Sequence, residues 1–304
     1  MTRPLLYVIA AAIVVATGCT RQAPAPQSSP SSSTPFPAGE LVDLSHAYDS
    51  TTLFWPTAAQ RWVLNKEAEG ETAGGYYYSA NNFASAEHGG THIDAPVHFA
   101  RGKLSVDQIP LESLMAPAVV IDVTQPSAQS ADYQVTADDF QRFEQQHGAI
   151  PSGSIVLLRT GFASRWPDAV RYLGTAERGE AAVAKLHFPG LHPAGAEWLV
   201  SNRAVKAVGI DTASIDYGQS KLFETHRTLM GRDIPALENL ASLDRLPPTG
   251  AFLIALPMKI GGGSGAPLRA VAVLQRDRAQ CSAMHTLHGP RRRGGAEHGP
   301  TWLA

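Results

Sequence analysis

The amino-acid sequence predicts a mixed α/β domain built around a central, largely buried sheet. Short runs of β-branched and other apolar residues recur between positions 41 and 274, with the length of buried strands. Segments with helical spacing and capping residues alternate with these runs. The hydrophobic content of 44% and the charged content of 17% are typical of a globular protein with a substantial core.

The predicted strands are continuous apolar runs, a pattern that is expected where both faces of a sheet are covered. The clearest of them read AVVIDV, IVLLR and AFLIAL. A β-prone segment with three consecutive tyrosines precedes them. In chain order the predicted strands lie at residues 41–45, 76–83, 118–123, 155–159, 205–211, 251–256 and 271–274.

Two helices are predicted between these strands. Thr136 begins the segment TADDFQRFEQQHG, with an acid three residues after the capping threonine and Gly148 as a stop signal. Pro193 begins PAGAEWLVSN, with proline in the first helical turn. No internal repeat is visible, so we expect a single domain with a central mixed sheet over residues 40–275.

The N-terminal end of the chain differs in character from the predicted domain. Residues 1–19 combine Arg3, an apolar run too short to span a membrane, and small residues before Cys19. This pattern predicts a bacterial lipoprotein signal peptide with lipid on Cys19; an ordinary anchor helix is the alternative. Residues 20–39, rich in Ser, Pro, Gln and Ala, are predicted to be a tether. We therefore expect an exported protein, lipid-anchored to the periplasmic or extracytoplasmic face of a membrane.

The C-terminal end, residues 276–304, lacks apolar periodicity and is predicted to be a flexible tail. Its three consecutive arginines could contact anionic lipid or remain solvated. The net charge of −2 gives no reason to expect nucleic acid as a partner. With Cys19 lipidated, Cys281 would be the one remaining cysteine, which excludes an internal disulfide.

The segment EHGGTHIDAPVHF, residues 87–99, holds three of the eleven histidines and one aspartate. In an extended strand His92 and Asp94 point to the same side, and a turn at the two glycines can bring His88 back to them. Two imidazoles and one carboxylate suit Zn²⁺ or Mn²⁺ and leave a position for water. His98 can lie nearby without being a ligand. The alternative is a polar surface loop without metal.

A second group of polar residues lies downstream, between positions 211 and 238. Its members are Asp211, Asp216, Gln219, His226 and Glu238. His226 and Glu238 are twelve residues apart, so no local geometry links them. Taken alone, His226 is expected to be a surface histidine and Glu238 a glutamate on a helix.

Taken together, these motifs resemble the metal-dependent cyclase family, which includes bacterial kynurenine formamidase and isatin hydrolase. The resemblance covers residues 41 to about 274 and most of the foldable chain. It is carried by LVDLSH, HGGTHIDAPVHF, GIDTASID, the histidine and glutamate spaced by twelve, and ALPMKIGGGSGAPLRAVAVL. It implies a swivelling β/β/α-type fold, hydrolysis of an amide-like C–N bond in a small aromatic amide or lactam, and assembly into homodimers or homotetramers.

The resemblance also implies a ligand set. His88, His92 and Asp94 would bind a first metal ion. In formamidase-like members Asp94 would bridge to a second ion held by His226 and Glu238. Isatin-hydrolase-like members work with one manganese, so one and two ions, and Zn²⁺ and Mn²⁺, are both open.

The resemblance assigns further roles around the metal. His98 would be the acid/base that takes a proton from water and gives it to the leaving nitrogen. Phe54 and Trp55, in LFWPT, would contact an aromatic substrate; an ordinary core position is the alternative for Trp55. The glycine-rich loop at 261–265 could bind an anion or serve only as a tight turn.

Two other protein classes fit the sequence less well. A barrel-type amidohydrolase would have His-x-His after its first strand and eight strand–helix units; here Asp94 stands where a further histidine would, and the units are too few. A lipid-anchored metal- or ligand-binding protein without catalysis would have a site closed by four protein ligands and no spare base.

Overall fold

The structure, a computed structural model, describes residues 39–275. The strands of this part of the chain are β1 (Gly39–Asp43), β2 (Val63–Glu71), β3 (Tyr77–Ala84), β4 (His92–Asp94), β5 (Met115–Asp122), β6 (Gln134–Val135), β7 (Ile155–Arg159), β8 (Gly190–Leu191), β9 (Ala207–Ile210), β10 (Ala236–Glu238), β11 (Ala251–Pro257) and β12 (Gly265–Gln275). The α-helices are α1 (Leu111–Leu114), α2 (Thr124–Gln129), α3 (Ala137–His147), α4 (Ala169–Leu173), α5 (Glu180–Val183), α6 (Pro193–Asn202) and α7 (Glu224–Met230).

The central sheet is mixed, as predicted, and it closes on itself. Its strand order is β1-β12-β11-β5-β7-β9-β10-β4, and β4 also pairs with β12, which completes a ring of seven strands. Strands β5, β7, β9 and β10 are parallel neighbours, whereas the β12 pairings are antiparallel. Closure leaves few free sheet edges. The apolar runs predicted a covered sheet but not its closure.

The core explains why the strands are apolar at consecutive positions. Ala118 and Val120 of β5 belong to one buried cluster, to which all seven ring strands contribute. Val119 and Ile121 belong to another, shared with α3, α6 and α7. Alternate side chains therefore fill the inside of the ring and its helix-covered outer face. Each fully buried large apolar side chain stabilises the fold by about 1.5–3 kcal/mol.

The predicted helices are present with their capping groups. Thr136 caps α3, and the Asp139 carboxylate accepts a hydrogen bond from the Thr136 backbone N–H at 2.8 Å. Helix α3 ends at His147 and is capped by Gly148, which has a φ of 86°. Helix α6 begins at Pro193. The segment predicted as a strand at 76–83 is β3, but it pairs with β2 in a separate hairpin whose side chains are mostly exposed.

The prediction of an exported protein held at a bacterial membrane is wrong. Within residues 39–275 no helix is long and apolar enough to cross a membrane. The longest, α3, has 11 residues, whereas a span needs about 20. The apolar residues are used in the closed sheet and its helical cover. The predicted signal peptide with Cys19, the tether before Gly39 and the tail after Gln275 lie outside the described residues.

Candidate metal centre

The outer face of the ring carries a cluster of acidic and imidazole side chains where β4 and β10 meet. The two strands are antiparallel, and Glu238 lies directly opposite His92. Because Ile93 of β4 points into the ring core, His92 and Asp94 project from the other face. Helix α7 lies against this face and brings in His226. All four polar side chains are buried.

The first group consists of His88, His92 and Asp94, whose ligand atoms lie within 4.8 Å of one another. His88 Nδ1 is 2.6 Å from Asp94 Oδ1, and His92 Nε2 is 3.1 Å from the same oxygen. The turn predicted at the two glycines is present. Gly90 has a φ of 57°, and a Cβ there would lie 2.6 Å from the Tyr48 ring.

The second group consists of Asp94, His226 and Glu238, again within 4.8 Å. His226 Nε2 is 3.0 Å from Asp94 Oδ2 and 3.3 Å from Glu238 Oε1. The fold therefore brings together two residues that the sequence could not link by local geometry. Asp94 belongs to both groups, one oxygen facing each.

Hydrogen bonds at the outer nitrogens of His92 and His226 orient the rings. His92 Nδ1 is 2.9 Å from the Gly90 carbonyl oxygen, and His226 Nδ1 is 2.6 Å from an Asp216 oxygen. Since both partners can only accept, each Nδ1 carries a hydrogen. Each Nε2 then faces carboxylate oxygens at 3.0–3.5 Å.

Imidazole nitrogens and carboxylate oxygens this close together are stable only when a proton or a cation lies between them. Two nitrogen ligands and one carboxylate in the first group, with a carboxylate-rich second group beside it, match the donor set of Zn²⁺ and Mn²⁺. The carboxylate behind His226 is the usual support of a metal-binding imidazole. The residues present therefore fit one or two divalent cations.

The electrostatics of the buried cluster separate its two carboxyl groups. Burial alone would raise the pKa of Asp94, but the charge of His88 and hydrogen bonds from the three imidazoles hold it well below the usual range. Burial and the neighbouring charge of Asp94 raise the pKa of Glu238. Asp94 is thus the negatively charged centre of the cluster.

His98 lies beside the two groups and belongs to neither. It ends the 3₁₀ turn Pro96–His98, and its ring stacks on His88 with centroids 3.9 Å apart. Burial lowers the pKa of His98 to about 4; Asp94 opposes this shift, and the other imidazoles add to it. The ring is therefore neutral at pH 7 and can accept a proton.

Both groups and His98 line a cavity of about 320 Å³. Its remaining wall is largely aromatic and aliphatic. Phe54 and Trp55, the two residues predicted to contact substrate, line this cavity. Phe99 and Phe223 also line it and were missed by the sequence reasoning, although Phe99 directly follows His98. The volume falls in the range of small-molecule sites.

Other polar residues that the sequence analysis named make hydrogen bonds within the fold and belong to neither ligand group. Asp211 is buried and accepts hydrogen bonds from the backbone N–H groups of Thr160 and Gly161. Gln219 donates to the Leu186 carbonyl. In the glycine-rich loop, the Ser264 N–H donates to the Glu87 carboxylate at 3.0 Å, so this amide binds an acid of the chain itself.

Comparison with known proteins shows the family of this chain. Residues 42–217 match the family model described as "Putative cyclase". An isatin hydrolase of Roseibium aggregatum is 35% identical over 210 residues, 66% of this chain and 77% of the relative. A kynurenine formamidase of Salinibacter ruber is 29% identical over 240 residues, 76% and 96% of the two chains.

Solved structures agree as well. Isatin hydrolase A from Ralstonia solanacearum superimposes with a TM-score of 0.70 at 36% identity, covering 78% of this chain and 92% of that one. The family match spans more than half of residues 1–304, and the solved structure shares the fold over 78% of this chain. The chain belongs to the cyclase family.

Proposed function

We propose that this protein is a metal-dependent hydrolase that cleaves the amide-type C–N bond of a small aromatic amide or lactam. The observation that carries the proposal is the position of the shared Asp94 carboxylate. It joins two buried ligand groups at the base of a cavity with aromatic walls and a neutral histidine. The names of the relatives support the bond type, since isatin hydrolase and kynurenine formamidase both act on such bonds.

The proposed cofactor is Zn²⁺ or Mn²⁺, as one or two ions. His88, His92 and Asp94 would hold one ion, and Asp94, His226 and Glu238 a second. A divalent cation in such a site acts as a Lewis acid, which lowers the pKa of a coordinated water and polarises a carbonyl. The buried ligands also exclude bulk water from the base of the cavity.

The proposed acid/base is His98. The water oxygen bonds to the carbonyl carbon and the C–N bond breaks, while the neutral imidazole takes a proton from the water and gives it to the nitrogen. The nitrogen becomes an amine, which departs from an open amide and stays on the opened ring of a lactam. Its stack on His88 places the ring beside the first group without using its nitrogens for binding there. Asp216 contributes by holding the His226 ring, which it contacts through Nδ1 at 2.6 Å.

The proposed substrate is aromatic because the walls of the cavity are. Phe54, Trp55, Phe99 and Phe223 offer ring faces and edges to a planar ligand. Trp55 is itself supported by Phe223, with ring centroids 6.3 Å apart. N-formylkynurenine and isatin, an open amide and a lactam, are the two substrates that the relatives' names suggest.

The proposal includes assembly into homodimers or homotetramers. The β2–β3 hairpin exposes several large apolar side chains: Leu64, Tyr77, Tyr78 and Phe83. Such a concentration of exposed apolar surface is common at interfaces between copies. Light scattering on the purified protein gives the assembly size, and a monomer at micromolar concentration contradicts this part of the proposal.

The test is hydrolysis of N-formylkynurenine and isatin by protein loaded with Zn²⁺ or Mn²⁺. We expect turnover that is lost after chelation and restored by adding the metal back. His92→Ala should lose both metal and turnover. His187→Ala is the matched control, since His187 pairs with Asp132 at 2.8 Å on the surface. No turnover of any amide or lactam despite bound metal would favour a binding protein without catalysis.

A further inference from the structure

The ring of His88 has an outer partner that no role assigned so far uses. Its Nε2 lies 3.0 Å from the hydroxyl oxygen of Ser264. That hydroxyl donates to Glu87 Oε2 at 2.6 Å, and the Ser264 backbone N–H donates to the same oxygen at 3.0 Å. The direct distance from His88 Nε2 to Glu87 Oε2 is 4.0 Å, so the hydroxyl bridges the two side chains.

The direction of these bonds sets the tautomer of His88. Because the Ser264 hydroxyl gives its one hydrogen to the Glu87 carboxylate, it can only accept from the imidazole. His88 Nε2 therefore carries a hydrogen. Without a cation Nδ1 donates to Asp94 Oδ1 at 2.6 Å, and it would offer its lone pair to a cation that replaces that proton. The negative charge of Glu87 strengthens the hydroxyl as an acceptor.

This orientation is the reverse of that of the other two imidazoles. His92 and His226 bond outward through Nδ1 and face the cluster with Nε2. His88 bonds outward through Nε2 and faces the cluster with Nδ1. Its ring is also the most exposed of the three, at 25% for the side chain against 3% for His92, so packing alone fixes it least.

The loop that carries Ser264 is built to approach the motif closely. A Cβ on Gly265 would lie 2.5 Å from His88 Cε1 and 2.6 Å from the Ile93 carbonyl oxygen. Only glycine at position 265 lets the loop and the ring lie side by side. The Ser264 carbonyl in turn accepts from the Ala95 N–H at 2.8 Å, which ties the loop to the end of β4.

We propose that Ser264 and Glu87 are positioning residues that hold His88 as the Nε2–H tautomer and thereby set the cation affinity of the first group. The inference rests on the proposed metal site and adds to it. Removal of an outer partner of a ligating imidazole typically weakens metal binding by about 10–100-fold. The second group, which contains no part of this chain of bonds, should keep its affinity.

The test is Mn²⁺ binding by calorimetry to protein first stripped with a chelator. Ser264→Ala should weaken binding at the first group by about 10–100-fold, and Glu87→Gln should do so to a smaller extent. Ser264→Thr keeps the hydroxyl and should restore the affinity. Ser201→Ala is the matched control, because the Ser201 hydroxyl also donates to a carboxylate, that of Glu197 at 2.7 Å, on the exposed face of α6.

A second measurement does not depend on affinity or on turnover. ¹H–¹⁵N spectra of the Zn²⁺-loaded protein with labelled histidine should show a hydrogen on His88 Nε2 in wild type. In Ser264→Ala that hydrogen has lost its acceptor, so its exchange with water should be faster. Should Ser264→Ala fail to fold, Glu87→Gln gives the same two readings.

The outcomes separate this inference from the proposed function. Wild-type affinity in folded Ser264→Ala and Glu87→Gln, together with an unchanged His88 spectrum, would overturn the inference alone. A wild-type protein that binds Mn²⁺ but hydrolyses no amide overturns the proposed function and leaves the positioning role to be judged on affinity. A wild-type protein that binds no divalent cation overturns both.

Discussion

The two ligand groups that share Asp94 are built in opposite ways. His88, His92 and Asp94 come from one window of seven residues, shaped by a glycine turn and a short strand. His226 and Glu238 come from α7 and β10, and His226 is 132 positions from Asp94. The first group is open on one side, with a His88 side chain that is 25% exposed, whereas the side chains of His226 and Glu238 are each 4% exposed.

This difference teaches that the two groups depend on different parts of the fold. The first needs only a local turn and the alternation of side chains along β4. The second exists because β10 pairs with β4 and α7 brings His226 to within 3.0 Å of Asp94, so it depends on contacts between segments far apart in the sequence. Both groups line the cavity, but the first is more open to solvent through His88. In the second, the hydrogen bond from His226 stabilises the negative charge of Asp94.

The largest effect is expected from the residue that the two groups share. Asp94→Asn keeps the shape of the side chain but removes its charge, so both groups should lose their cation. Hydrolysis should fall by more than the ~10²–10⁴-fold that loss of an acid/base costs. Metal analysis after dialysis and turnover rates check this, with Asp132→Asn as a surface control. One retained equivalent of metal would show that the groups are independent.

His98→Ala tests whether the neutral histidine beside the first group acts on the reaction and not on binding. We expect full metal content and a ~10²–10⁴-fold lower kcat. The stack with His88 is lost, but the His88 hydrogen bonds to Asp94 and Ser264 remain. Near wild-type turnover at unchanged metal content would remove His98 from the mechanism.

Asp216→Asn tests the second group alone. Asp216 accepts from the His226 ring at 2.6 Å and from the His226 backbone N–H at 3.1 Å. Loss of its charge should weaken the second cation by about 10–100-fold and leave the first unchanged. Calorimetric titration with Mn²⁺ separates the two. If the cation affinity of both groups fell equally, or if neither affinity changed, the groups would not be separate in the way proposed.

The smallest effect is expected on folding stability, from substitution of Glu144, a carboxylate outside both groups. The Arg203 guanidinium holds the pKa of Glu144 below its usual value of 4.5, with burial opposing and the Ile150 N–H assisting. A lowered pKa contributes stability above the unfolded value that is lost as pH falls. Glu144→Gln should cost at most about 1 kcal/mol at pH 7.

That cost should shrink in denaturant titrations as the pH falls below 4.5, and it should vanish below the lowered pKa of Glu144, where the wild-type carboxyl is protonated too. Cation binding should be unchanged, since Glu144 lies on α3, outside both ligand groups. A change in cation affinity in this variant would show that the site responds to charge far from its ligands.

Much of this arrangement could be predicted from the sequence because it is local. The period-two spacing of His92 and Asp94, the glycine turn and the capping box of α3 each follow from neighbouring residues. The family resemblance, not spacing, linked His226 and Glu238 to them. Ring closure could not be predicted, since the pairing of β4 with β12 joins segments with no shared pattern.

The aromatic wall of the cavity could not be predicted from the sequence either. Phe223 reaches the cavity because it precedes α7 in a left-handed conformation, with a φ of 49°. Nothing in its neighbours predicts that geometry. Ser264 was visible within a glycine-rich loop, but its contact with Glu87 depends on which strand lies opposite.

The β2–β3 hairpin has a consequence for how the molecule moves. A two-stranded ribbon is only marginally stable by itself in water, and this one has few buried side chains to anchor it. Its backbone should therefore open many times for each global unfolding event. Deuterium uptake in Val63–Ala84 should outpace that of the ring strands, and any neighbour that covers the ribbon would slow it.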